Sequence, residues 1–158
     1  MDDAGFQVEL NLPVHFRPGA PDPTASQGSQ LLLRVINLQM GHETEIDRAQ
    51  EKLEARLDLM LHWLGLQLFG ARPRPEVRPL LAGADWLNLA DHGWSPGADL
   101  TVCLYLHPAL PAPVELAGRV TSAGNIALLF ADEAMAESWR QWLFRQHRRA
   151  VHAARAGT

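Results

Sequence analysis

Cysteine is almost missing from this chain. Cys103 stands alone among 158 residues, so no intramolecular disulfide can form and no Cys-x-x-Cys pair is available to hold a metal. Long apolar runs are also missing. Stretches such as "LLLRVINL" are broken by Arg34 and Asn37 and fall short of the roughly 18 residues that a spanning helix needs, which predicts no membrane insertion. The start "MDDAGFQVEL" lacks the basic, apolar, small-residue order of a secretory signal, and with the single cysteine this predicts a cytoplasmic protein. There is no overall basic excess either: the net charge is −4 and the pI near 5.9, which argues against DNA or membrane-surface binding.

Catalytic signatures are absent too. The seven histidines are scattered without His-Glu-x-x-His spacing, and neither a Gly-x-Ser-x-Gly elbow nor a phosphate-cradling glycine loop occurs. Cys103 has no activating base near it in sequence. The expectation is a non-enzymatic protein with no catalytic residues, no metal and no resident cofactor.

What is present is patterning. Phe6, Val8, Leu10 and Leu12 alternate with polar residues, which predicts a strand from Phe6 to about His15, limited by Pro13. "RPGAPDPTASQGSQ" reads as an irregular exposed loop. Ser29 can cap "QLLLRVINLQM", whose periodicity leaves helix and strand open, with a short buried helix favoured. Next comes "TEIDRAQEKLEARLDLMLHWLGLQLFG", a helix of about seven turns. Thr44 and Asp47 suit a capping box, and Gly70 with Pro73 a stop.

Ile46, Gln50, Leu53, Leu57, Met60 and Leu64 follow one another at steps of four and three, a heptad seam that Leu68 extends. With Leu59, Leu61, Trp63, Leu66 and Phe69 added, the second half of the helix is apolar nearly all round, so it needs cover on several sides. That cover is either its own core or other copies of the chain. Self-association is the expectation adopted, and the seam by itself does not separate a dimer from a tetramer.

"RPRPEVRP" follows, with Arg72, Arg74 and Arg78 among three prolines. Its simplest reading is a stiff connector with solvated guanidiniums, and the other is a phosphate site. Beyond it the period changes to two. "LLAGADWLNLA" suggests a bent or bulged strand, "LTVCLYLH" and "VELAGRVTS" are clear strands, and "AGN" turns into "IALLF". Strands joined by turns without helices predict an antiparallel sheet or barrel. A closing helix starts at the N-cap Asp132, carries Met135, Trp139, Trp142 and Leu143 on one face, and ends in arginines. From Arg140 onward there are five arginines and no carboxylate side chain. Arg145, Arg148 and Arg149 either oppose the helix dipole or dock an acidic partner.

The segment "SPGADLTVCLYLHPALPAPVELAGRVTSAGNIALLFADEAMAESWRQWLFRQHRR" resembles the back half of a PilZ domain. It has a glycine before a strand, a proline-containing break, a strand ending in "GRV", a turn, a strand ending in Phe and a closing helix. The long heptad helix, with "EARLDLML", is similar to the atypical PilZ branch, in which extra helices assemble a tetramer.

The resemblance implies an α+β fold: a six-stranded antiparallel barrel forming a single domain over 1–158. A helical insertion at about 29–70 and a C-terminal helix would complete it. It also implies a bacterial signalling or adaptor role of the cyclic di-GMP type, with relatives in motility, adhesion and virulence pathways.

The family's ligand motifs are Arg-x-x-x-Arg and Asp/Asn-x-Ser-x-x-Gly. Arg74 and Arg78 fit the first spacing. For the second, one register places Leu80, Ala82 and Asp85, and the other places Asn88, Ala90 and Gly93. The first register is preferred, and it departs from the motif at all three positions. The expectation is therefore a tetrameric adaptor with weak or lost nucleotide binding and an unidentified protein partner. The alternative is a direct cyclic di-GMP receptor using Arg74 and Arg78.

Overall fold

A computed structural model describes residues 6–40, 48–69, 73–108 and 110–157. Six strands form a closed antiparallel barrel in the order β1-β2-β3-β6-β5-β4. They are β1 (Val8–Pro18), β2 (Val77–Ala82), β3 (Trp86–Asn88), β4 (Asp99–Leu104), β5 (Val114–Ser122) and β6 (Asn125–Leu129). Helices α1 (Pro23–Met40) and α2 (Arg48–Phe69) lie between β1 and β2, and α3 (Glu133–Ala156) follows β6.

The barrel closes because β1 is long enough to serve two neighbours. Val8 to Pro13 pair with β2, and Val14 to Pro18 pair with β4. Pro13 sits where the partner changes, and its carbonyl accepts from the Tyr105 backbone N–H at 3.1 Å. The proline marks the handover between partners, so the strand runs through it. Val8, Leu10 and Val14 point inward with Leu80, Ala82, Leu87, Leu100, Val102, Val114, Leu116, Val120 and Ile126. Gly118 belongs to this core as well, since a Cβ there would press on the methyl of Ile126.

Several sequence expectations change. The loop expected before Ser29 is helical from Pro23. Asp22 accepts from the Ala25 N–H at 2.7 Å, and Pro23 opens the helix where its missing N–H costs nothing. Ser29 lies inside α1, buried, and its hydroxyl accepts from the Glu115 N–H at 2.7 Å, tying the helix to β5.

"LLAGADWLNLA" is a hairpin, with β2 and β3 joined through Gly83 to Asp85. Gly83 donates to the Trp86 carbonyl at 2.9 Å, and a side chain on it would overlap the Trp86 indole. The end of the supposed connector, Val77 to Pro79, is already strand. Pro79 is tolerated because β3 pairs only with Leu81 and Ala82, which leaves the start of β2 without a neighbour on that side. Thr44, Ile46 and Asp47 of the expected long helix lie outside the described residues, as does Arg72.

Helix α3 begins as expected. Asp132 accepts from the Met135 N–H at 2.8 Å, and Met135, Trp139, Trp142 and Leu143 are buried. Trp139 and Trp142 stack with centroids 5.4 Å apart, and Trp139 Nε1 donates to the Gly83 carbonyl at 3.1 Å. This face packs on α1 through Leu33 and Ile36, and α1 in turn covers β5. Thr101 and Cys103, on the outward parity of β4, are as buried as their inward neighbours, and the Thr101 hydroxyl donates to the Gly19 carbonyl at 2.7 Å.

Candidate assembly interface and the arginine clasps

Helix α2 is the element the barrel does not absorb. At about 100° per residue, Leu61, Asp58 and Gly65 share one strip of the helix. Leu61 packs on the core, and Gly65 approaches Pro111 so closely that a Cβ would overlap the proline ring. The opposite side is largely apolar and open to solvent, with Arg56 and Gln67 as polar residues within it. Leu53, Leu57, Leu59, Met60, Trp63 and Leu64 are each 43–66% exposed, and they span an arc of about 160°.

That arc holds two stripes. Leu53, Leu57, Met60 and Leu64 make the first seam. Leu59, Trp63 and Leu66, again at steps of four and three, make a second beside it. A strict two-stranded coiled coil needs only one narrow seam, so a width of this order is chemically suited to two neighbours, as in a helical bundle. Gln50 spends its amide on Glu54 at 3.4 Å. Ile46 is outside the described residues, and so is the side chain of Leu68.

The arginines after α2 are held by loop carbonyls. Arg74 Nη2 donates to the carbonyls of Leu110 at 2.9 Å, His107 at 3.4 Å and Pro108, and its guanidinium lies 5.9 Å from the centre of the Tyr105 ring. It clasps the β4–β5 connection. Arg78 Nη2 donates to the Ala90 carbonyl at 2.7 Å and to that of Asp91 at 3.2 Å. It clasps the β3–β4 connection, where Asp91 and Gly93 adopt left-handed φ of 57° and 80°. The two guanidiniums thus serve different loops, where solvated side chains were expected.

Neither register supplies the complete second ligand motif: the first departs at all three positions, and the second keeps Asn88 and Gly93 but has no serine. Leu80 and Ala82 point into the core, and Asp85 sits at the exposed hairpin turn, where its carbonyl accepts from the Leu128 N–H at 2.8 Å. In the other register, Asn88 donates to Asn125 at 2.7 Å and Ala90 offers no hydroxyl.

Among the basic residues of α3, Arg145 donates to both the backbone carbonyl and the side-chain oxygen of Asn37 on α1. Asn37 in turn donates to the Ser138 carbonyl at 2.8 Å, so these groups form a polar stitch between the two helices. Arg148 and Arg149 are exposed. The stitch was missed from sequence because it joins residues about a hundred positions apart. Asn37 interrupting an apolar run was the only signal for it.

No group of His, Cys, Asp and Glu suited to a metal occurs among the described residues, and no described helix is long and apolar enough to cross a membrane. Cys103 is buried, and desolvation, followed by the nearby Glu115 carboxylate, pushes its thiol up to about 11. Arg17, paired with Glu115 at 2.7 Å, opposes that shift only in part.

No family model and no curated protein matches the sequence. Among solved structures, the chain is similar to a pathogenic protein from Xanthomonas campestris, a tetrameric PilZ domain self-assembled via an unusual helical bundle. The TM-score is 0.72 at 23% sequence identity, covering 94% of this chain and 92% of that one. The shared feature is the fold: a closed six-stranded antiparallel barrel of PilZ type carrying additional helices.

Proposed function

We propose that this chain, with its PilZ-type fold, is a non-enzymatic bacterial adaptor of the cyclic di-GMP signalling type that works in the cytoplasm as a tetramer built on α2. The observation that carries the reading is the wide apolar arc of α2, which faces solvent on the isolated chain. Six large apolar side chains left open on one helix are a strong drive to associate. Their two adjacent stripes suit a bundle, the kind of assembly found in the structurally similar Xanthomonas protein.

Cyclic di-GMP binding is weak or lost in this reading. Arg74 and Arg78 are engaged with carbonyls of separate loops, and Leu80 and Ala82 put hydrocarbon where the family motif requires a carboxylate or amide and a hydroxyl. Signal output then runs through protein contacts. Arg148 and Arg149, at the exposed end of α3 with Arg145 behind them, suit an acidic partner.

Two measurements on the intact protein test this. Sedimentation velocity is expected to give a tetramer, and isothermal titration with cyclic di-GMP is expected to give no saturable heat. Saturable binding that disappears in Arg74→Ala/Arg78→Ala would replace this reading with a direct receptor. A monomer at all concentrations would remove the assembly.

A further inference from the structure

The helices α1 and α3 meet along their apolar stripes, but above that contact their polar stripes face each other across an open cleft. Gln30, Arg34 and Asn37 follow at steps of four and three on α1. Ala134, Ser138, Gln141 and Arg145 follow at four, three and four on α3. Together these residues line a cavity of about 380 Å³. Two guanidiniums line it, and no carboxylate does among the described residues. In a chain of net charge −4, this is a local reversal of sign.

The cleft is also partly pre-organised. Arg145 is fixed by Asn37 through one terminal nitrogen, and among the described residues the N–H groups of its other two nitrogens have no hydrogen-bond partner. Arg34 is exposed and has no partner among the described residues.

From this arrangement we propose that the α1–α3 cleft is a binding site for a small hydrophilic phosphate ester, of the sugar phosphate class. Guanidinium forks match phosphate oxygens, and two forks with neutral donors beside them supply more hydrogen bonds than a carboxylate's two oxygens can use. The volume lies in the range of small-ligand sites and exceeds that of a bare phosphate ion. The rest of the lining, Gln30, Gln141 and the Ser138 hydroxyl, is suited to the hydroxyls of a polyol. No aromatic ring lines the cleft among the described residues, so a flat base would find nothing there to stack on. The site is separate from Arg74, Arg78 and α2, and its existence does not depend on the assembly.

The test is a titration of the intact protein with glucose 6-phosphate, read by amide chemical shifts, with glucose and inorganic phosphate as parallel probes. Saturable shifts confined to α1 and α3 are expected with glucose 6-phosphate, with weaker binding of phosphate and none of glucose. Arg34→Glu, a change at an exposed position, should lower the affinity about tenfold or more, and Arg34→Lys by less. Gln141→Glu, which brings a carboxylate to the rim, should also weaken binding without disturbing the spectrum elsewhere. Absence of saturable binding by the native protein, or binding unaffected by Arg34→Glu, would overturn the proposal. Inorganic phosphate binding as tightly as the ester would overturn the assignment of the ligand class.

Discussion

Replacing Leu57 and Leu64 together by glutamate is the most direct challenge to the role of α2. These residues lie one heptad apart on the first seam, 43% and 55% exposed, so about half of each side chain is still available for burial. Complete burial of a leucine is worth about 1.5–3 kcal/mol, so covering the open half contributes about 0.7–1.5 kcal/mol per residue. For the pair this is about 1.5–3 kcal/mol per subunit, and about four times that over a tetramer.

The change also places two carboxylates from every chain against apolar neighbours, a desolvation cost that adds to the lost burial. At 1.4 kcal/mol per decade, the burial term alone weakens each subunit's attachment about tenfold to a hundredfold. Because both side chains point away from the barrel, the monomer should stay folded. Sedimentation velocity over a range of concentrations, paired with thermal unfolding, therefore separates the effects. The expected result is a folded species of lower mass. A double variant that sediments like the native oligomer would refute the argument, because no arrangement using this seam can absorb two carboxylates per helix.

Three further outcomes follow from the interior. Trp139→Phe removes the donor to the buried Gly83 carbonyl, whereas Trp142 Nε1 has no partner among the described residues, so chemical denaturation should find Trp139→Phe less stable than Trp142→Phe by about 1–3 kcal/mol. Cys103, with its thiol near 11 and its side chain covered, should resist thiol reagents at pH 8 in the native protein and react promptly in denaturant. His107 and His15 are both held below the ordinary imidazole value, chiefly by burial, with Arg74 and Arg149 adding to the effect at His107 and Arg17 at His15. Asp58 and Glu115 oppose these shifts. The unfolded chain therefore takes up protons at about pH 6.5 that the folded chain refuses, and denaturation midpoints should fall as pH drops through that region.

Much of the architecture could be read from local pattern. Alternation in β4 and β5, the glycine turn into β6, the Asp132 cap and the heptad spacing of α2 are each written within a few consecutive residues, and a linear reading finds such signals. The misreadings share one cause. Pro13, Pro23 and Pro79 were taken as breaks because proline cannot donate a backbone hydrogen bond. Whether that matters depends on who would have received it. Pro13 stands at a change of partner, Pro23 in the first turn of a helix, and Pro79 beside an unpaired edge, and in each place the donor is dispensable.

Side-chain chemistry was less legible for the same reason. The spacing of Arg74 and Arg78 is a fact of the sequence, but whether they face one ligand or two loops depends on where the β3–β4 and β4–β5 connections return in space. The same holds for Arg145, which looked like a surface charge and is bonded to Asn37 across a helix pair. Composition and periodicity alone determined an antiparallel set of short strands, a terminal helix and a helix too apolar to stand by itself, and the resemblance to PilZ domains implied that the strands close into a barrel. The tertiary structure decided which apolar surfaces satisfy one another and which cations are spent on the chain's own carbonyls. Burial and hydrogen bonding are properties of neighbours in space, and the order of residues constrains those neighbours only at short range.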